Sequence, residues 1–461
     1  VAVFWCSVGL AVGEDEPAWP WYGGPSHSGV IADAKAVPDG KDMQVLWKVR
    51  MLGTGHSGPA AVGDEVFILD RRGMKEAGVD YLRVFDLNTG EERWSFAHAA
   101  PGDCRQQSIG NMPWRAGPVS VPAVDDTHVF VTGVMGRLYC IERETRTLAW
   151  SQQITTNITH GAYSPSPLLV HDLVVVSYTD EGGDLLRAFH VADGSIAWTT
   201  QPELKREQEH GMVSVVHASP LLLDVLGEMQ IVATHKRVTF GADPKTGKVL
   251  WQYEGYRRGT IQAEVSISPD GYMFFTSGHD GTSSLVHMTK DDEGYKFEVI
   301  YYDPQRDRHR TRACSEWRRG HWYDGHLYHV SNHFASHGLL CMDKRGNVLW
   351  KTQVKDRNKR GPNFRYSCLT IAGGIGLAMN QGQLKVIRVN PERYEELGSI
   401  DVFHLYEAEP FIERPEDWDD RKWNGHIAKL ALSTWAKHAY VDGLFLTRNP
   451  QYLACVRVAK R

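Results

Sequence analysis

Ala242-Asp243-Pro244-Lys245-Thr246-Gly247-Lys248-Val249-Leu250-Trp251 is the stretch that decides the fold. An apolar strand end runs into a turn of Asp, Pro, Thr and Gly, and a second short apolar run closes on Trp. The same tail recurs as Phe85-Asp86-Leu87-Asn88-Thr89-Gly90…Trp94, Ile141-Glu142…Thr145…Trp150, Val191-Ala192-Asp193-Gly194…Trp198 and Met342-Asp343-Lys344-Arg345-Gly346…Trp350. The tryptophans are 56, 48, 53 and 99 residues apart, the last interval spanning two repeats. A period of about 40–50 residues with several short strands per unit predicts a β-propeller.

Each unit repeats one internal order. In the second, a strand near Gly117–Val124 precedes an Asp125-Asp126 turn. His128–Thr132, Leu138–Ile141 and Leu148–Trp150 follow as further strands. Short β-branched and aromatic runs bounded by Gly, Asp or Pro read as strands, and no long stretch carries a 3.6-residue period. Further units begin near Gly58, Ser164, Ser219, Ser266, Gly320, Tyr366 and Lys429, giving eight. Unit five has no Trp and ends on Phe297–Tyr301. The last unit stops after its third strand, Tyr452–Val456, and the missing fourth, Val45-Leu46-Trp47-Lys48-Val49, sits at the N-terminal end. Pairing the two removes an exposed sheet edge. The expected fold is all-β: an eight-bladed propeller of four-stranded antiparallel blades, closed by its own terminal strands. The expected organisation is a residual signal peptide at 1–13, an extension at 14–42 and one propeller domain at 43–461.

These features resemble the pyrroloquinoline-quinone (PQQ) repeat family, whose blades carry an Ala-x-Asp-x-x-Thr-Gly-x-x-x-Trp docking motif. The resemblance covers about residues 43–460. Trp19-Pro20-Trp21-Tyr22-Gly23-Gly24-Pro25-Ser26-His27-Ser28-Gly29 is similar to the segment that precedes many such propellers. The resemblance implies a fold that hosts quinone-dependent dehydrogenases, outer-membrane assembly scaffolds and secreted propellers of other kinds. A shared fold does not transfer a function.

Composition is that of an ordinary globular chain, 42% hydrophobic and 23% charged, and a net charge of −5 leaves the partner open. No recognition helix, zinc finger or single-strand-binding signature points to nucleic acid. No apolar run approaches the ~20 residues of a membrane span. Val1–Gly13 reads as the end of a signal peptide, which predicts a periplasmic or extracellular monomer. Cys140, Cys341 and Cys455 recur on third strands and read as small buried hydrophobes. Cys104, Cys314 and Cys368 lie near inter-blade segments, where an oxidising compartment permits a disulfide.

In a propeller the innermost strands line the axis, and the segments leading into them open at one mouth. Those segments are polar here. They supply His160, Tyr163, His217, His321, Tyr366 and His438 as candidate catalytic groups. His56, Arg115, Glu264, Arg319, Arg365 and Trp435 are the candidate ligand-binding groups, with Lys437 beside the last. Convergent polar groups in one concavity are the default expectation for a binding site. Residues 303–319 and 351–365 together hold twelve basic and four acidic residues, whereas 404–426 is acidic. Guanidinium forks suit a carboxylate, sulfate or phosphate, so an anionic glycan is one expected ligand and a protein partner the other.

His321–His337 contains five histidines, but strand alternation sends His326 and His329 to opposite faces and no metal motif completes a site. No metal is expected. Three functions are compatible with these residues. The first is a secreted propeller without quinone that binds a ligand at the mouth. The second is a uronate lyase or glycosidase in which Arg neutralises a carboxylate while His or Tyr moves the proton. The third is a quinone-dependent alcohol dehydrogenase, against which stand the missing adjacent-cysteine pair and the lack of an assignable Ca²⁺–Asp set. No cofactor is therefore expected, PQQ with calcium included.

Overall fold

The computed structural model describes residues 18–53, 55–73, 77–101, 117–156, 163–180, 183–200, 202, 218–235, 238–254, 264–277, 282–303, 312, 313, 315, 319–331, 338–352, 364, 367–409, 414 and 416–460. Eight antiparallel blades surround one axis. Blade 1 is Ala60–Val62, Glu65–Arg72, Val79–Asp86 and Glu92–Ala99 from inside to outside, and blade 6 is His321–Tyr323, His326–Ser331, Gly338–Met342 and Val348–Lys351. Blade 7 opens with Leu369–Ala372 at the axis. Blade 8 is Ala439–Val441, Leu444–Arg448 and Tyr452–Arg457, completed by Gln44–Arg50. Trp47 pairs with Cys455 across that seam, so the terminal strands close the ring as their sequence predicts.

The recurrent motif is a blade-to-blade joint. The Trp47 indole lies over the Gly90 turn of blade 1 and donates to the Leu87 carbonyl at 2.9 Å. Gly90 has φ 76°, and a Cβ there would sit 2.7 Å from the indole, so glycine answers both the backbone and the contact. Trp150 sits on Gly194 and Trp198 on Gly247 in the same way. Tyr301 occupies this position in blade 5, over Gly346, which explains a unit without Trp. Trp47, Trp94 and Trp251 are buried, while Trp150, Trp198 and Trp350 are half-buried because the outer strands face solvent on one side. Opposite the indoles, Cys140, Cys341 and Cys455 are fully buried and form no disulfide, as expected. Cys368 is also free and buried. Residues 1–13, Cys104, Cys314, His333 and His337 lie outside the described residues, as does most of the two basic loops.

One helix, in the insertion before the last blade, departs from the reading that no long stretch carries a helical period. Asp420–Leu432 forms α1, capped by the Asp419 carboxylate accepting from the Lys422 N–H at 2.7 Å. Its Trp423, His426, Ile427, Leu430 and Ala431 follow helical spacing, which Asn424 and Gly425 obscure. The last blade therefore begins at Ala439 rather than near Lys429. The acidic insertion carrying α1 clamps the closing strand. Glu407 takes both hydrogen bonds from Lys48 at 2.7 Å, and Glu409 pairs with Arg50.

The N-terminal extension is built into the axis. Ala18–Trp19 adds antiparallel to blade 1's inner strand, and Val30–Ile31 adds parallel to that of blade 7. Between them, residues 21–29 fold on themselves through N–H to carbonyl bonds from Gly24 to Trp21, His27 to Gly24 and Gly29 to Gly23. Trp19, Trp21 and Tyr22 are buried against the blades.

Candidate functional site

A serine girdle frames the axis. From blade 1 to blade 6, the inner segments are joined to the next blade by a serine or, once, a glutamate side chain. Ser57 donates to the Ser120 carbonyl at 2.7 Å, and Ser166 Oγ accepts from the Val121 N–H at 2.9 Å. Ser219 Oγ accepts from the Ser166 N–H at 3.0 Å, Glu264 from the Ser219 N–H at 3.2 Å, and Ser266 from the Gly320 N–H at 2.7 Å. The signal for this was present in sequence, as a Ser at the start of nearly every unit.

On this frame a small cleft of ≈ 40 Å³, open to solvent, lies between the N-terminal segment and blades 6, 7 and 8. Trp19, Tyr22, Gly23 and Gly29 form one wall, and Arg319, His321, Thr370, Lys437 and His438 face them. Three residues nominated from sequence, Arg319, His321 and His438, are thus brought together, with Lys437. Sequence reasoning did not assign Tyr22 or Gly29 to the site, because a segment preceding the first blade carries no sign of where it will dock.

Arg319 organises the cleft. It is 7% exposed, donates to the His27 carbonyl and stacks over the Tyr22 ring at 5.1 Å. Lys437 lies 4.8 Å from the same ring. Among the described residues no carboxylate forms an ion pair with Arg319. Glu264 is buried and bonds the Tyr22 hydroxyl, and burial together with that carboxylate raises the Tyr22 pKa well above 10. His321 Nδ1 meets the Ser28 carbonyl at 2.7 Å, and its ring also meets the Leu369 carbonyl. Burial first, and Arg319 second, lower the pKa values of His321 and His27 to about 3. At neutral pH His27, His321 and Tyr22 are uncharged, Arg319 and Lys437 are the cations lining the cleft, and the Glu264 carboxylate is bonded to the Tyr22 hydroxyl.

The other nominated residues have different surroundings. His438 is buried with Nδ1 3.1 Å from Thr447 Oγ1. His56 and Trp435 lie against each other at 5.3 Å. Tyr163 belongs to the core between blades 2 and 3, where its hydroxyl donates to the Ser177 carbonyl. His160, His217, Tyr366, Arg115 and Arg365 lie outside the described residues. His326 is half-exposed and His329 fully buried, as strand alternation requires, and burial brings the His329 pKa to about 3.

These histidines make stability depend on pH. A pKa lowered in the fold means that the unfolded chain binds the proton first, so stability is complete above the ordinary imidazole value. It is lost as pH falls from ~6.5 towards 3, by up to ~1.4 kcal/mol per pH unit for each of His27, His321 and His329. Thermal unfolding should move steeply to lower temperature between pH 6.5 and 4.5, and His329→Leu should flatten the profile. An unchanged Tm over that range would contradict the burial of these rings.

Among the described residues, no His, Cys, Asp and Glu side chains form a group of three that could hold a metal ion. Residues 18–31 bridge from the inner strand of blade 1 to that of blade 7. No described helix is long and apolar enough to cross a membrane.

Residues 78–352, more than half of the chain, match the family described as outer membrane protein assembly factor BamB. A comparison with curated proteins gives no match. The fold is similar to quinohemoprotein alcohol dehydrogenase from Comamonas testosteroni, at TM-score 0.62 and 12% identity over 96% of this chain and 81% of that one. It is similar to a europium-containing methanol dehydrogenase, at 0.58 and 11% over 84% and 86%. It is also similar to BamB from Moraxella catarrhalis, at 0.52 and 12% over 90% and 97%. Likeness at this identity concerns the fold alone.

Proposed function

The chain belongs to the PQQ-repeat β-propeller family of the BamB type, and from this premise we propose that it is a quinone-free binding propeller of the periplasm or cell exterior. It takes an anionic ligand, a glycan or an acidic surface of a partner protein, at the channel mouth lined by Arg319, His321, Lys437 and His438. The observation that carries this reading is Arg319: a guanidinium 93% removed from solvent beside an open cleft, engaged by a carbonyl and an aromatic face and by no described carboxylate. Buried charge is stable when paired, and an arriving carboxylate supplies the pair. The enzymatic alternative, a uronate lyase or glycosidase, asks His321 to move a proton. The hydrogen-bonding edge of that ring is engaged by the Ser28 and Leu369 carbonyls, which favours binding over turnover.

Calorimetric titration with glucuronate, with glucose as the neutral control, tests the reading. Glucuronate should bind more tightly, and more weakly as salt rises. Arg319→Ala should weaken it by about 10–100-fold. From sequence Arg319 reads as a mouth residue whose loss leaves the fold unchanged. Its burial and its bond to His27 mean instead that Arg319→Ala should lower stability by about 1–3 kcal/mol. Equal affinity for glucose and glucuronate would remove the anionic ligand from this reading.

A further inference from the structure

The wall of the cleft formed by Trp19, Tyr22, Gly23 and Gly29 is not part of any blade. We propose that the ligand site is composite: the chain's own N-terminal segment completes it, and ligand affinity is thermodynamically linked to the seating of that segment. This rests on the anionic reading above and adds what builds the site and what regulates it.

The geometry is specific. Arg319 and Lys437 come from blades 6 and 8, and Tyr22 is the group that both of them contact, at 5.1 and 4.8 Å from its ring. The Arg319 guanidinium is oriented by the His27 carbonyl and the His321 ring by the Ser28 carbonyl. With residues 21–29 withdrawn, the cleft loses a wall and both orienting acceptors. Two exposed cations on flexible stems then replace a preorganised pair, and preorganisation is what gives a small oxyanion its affinity. In the sheets the segment is held by two residues at each end, Ala18–Trp19 and Val30–Ile31, and outside them by the burial of Trp19, Trp21 and Tyr22 and a Val124 N–H bond to the Pro20 carbonyl. Its detachment therefore breaks few ladder bonds and leaves the four strands of blades 1 and 7 in place. Gly29 is the sensitive point: it has φ 75°, and a Cβ there would lie 2.5 Å from the His321 ring. A ligand that binds only the seated form stabilises that form in proportion to its concentration, and unseating the segment lowers affinity by the same coupling.

The probes are glucuronate and inorganic phosphate, titrated into the full chain and into Gly29→Val and Tyr22→Leu, with circular dichroism confirming the propeller in each. Gly29→Val, which touches neither cation, should lose affinity at least 10-fold. Tyr22→Leu, which keeps an apolar anchor, should lose about 3–10-fold, and it decides the question if Gly29→Val fails to fold. Hydrogen exchange of residues 18–31 in the full chain should slow about 100-fold with ligand at 100 times Kd, while exchange in the outer strands stays constant. Preference for glucuronate assigns the carboxylate of an acidic sugar, and preference for phosphate assigns a phosphoryl group. Full affinity in both variants, or unchanged exchange of 18–31 at saturation, overturns the composite site and leaves the anionic reading intact. A full chain that binds neither probe overturns both.

Discussion

Asp70→Ala is expected to destabilise the protein by about 3–5 kcal/mol, because it strips the shared partner from two buried guanidinium groups. Asp70 is fully buried and accepts the Leu52 and Arg71 N–H groups at 2.6 and 2.9 Å. Its carboxylate also lies 3.1 Å from Arg83 and 3.5 Å from Arg448. Arg448, wholly inside the protein, donates to the Leu69 carbonyl at 2.6 Å. Burial lowers its pKa to about 10, with Asp70 opposing the shift and Arg83 adding to it. Arg448 belongs to blade 8 and Asp70 to blade 1, so the cluster lies across the ring's seam. Without Asp70 the two cations face each other. Arg448→Met alone should cost less, since Asp70 keeps Arg83, and adding it to Asp70→Asn should restore part of the loss. Urea unfolding of the single and double variants measures the coupling. Purely additive losses would show that the cluster does not act as a unit.

Trp47→Ala should cost about 3–5 kcal/mol, the range for a large aromatic removed from a packed site. The effect is large because Trp47 is buried, hydrogen-bonded to Leu87 and packed on Gly90 at the point where the terminal strand joins its blade to the next. Gly90→Val should approach the same loss from the other side of the contact, since it adds a collision to a left-handed backbone position. Trp198, half-buried on the Gly247 turn, should be less sensitive, with Trp198→Phe within about 1 kcal/mol of the parent. Equilibrium unfolding ranks the three, and a Trp47→Ala change below about 1 kcal/mol would contradict the docking role.

The ring was legible because its joints are made of types that do nothing else so regularly: Trp at the end of a fourth strand and Gly at φ near 70–76° in the next turn. The terminal closure was legible for the same reason, since Trp47 is a tail without a unit. The Asp70 cluster was not. Leu69-Asp70-Arg71-Arg72 at a strand's end reads as a polar edge, and only the return of Arg448 from the far end of the chain makes it an interior. Arg319, His321 and His438 were recoverable by position, as groups opening inner strands, and they do line one cleft. Tyr163 and Glu264 met the same positional criterion and belong to the core and the girdle, because a segment leading to an inner strand has a side facing its neighbour blade as well as one facing the axis. The clamp by Glu407 and Glu409 shows that part of the acidic run serves the fold.

Residues 18–50 contact blades 1, 2, 6, 7 and 8, and blades 7 and 8 are made last. Trp47 cannot meet Cys455, nor Val30 meet Ile371, until some 340–410 further residues have left the ribosome. At about 5–20 residues per second that is a wait on the order of 20–80 s. Through that interval the strand Gln44–Arg50 stands without its partner, while Trp19, Trp21 and Tyr22 pack on blades 1 to 3, which are made early. The closing strand is thus the element that finds its place last, and the completed circle records the end of the propeller's synthesis rather than its course.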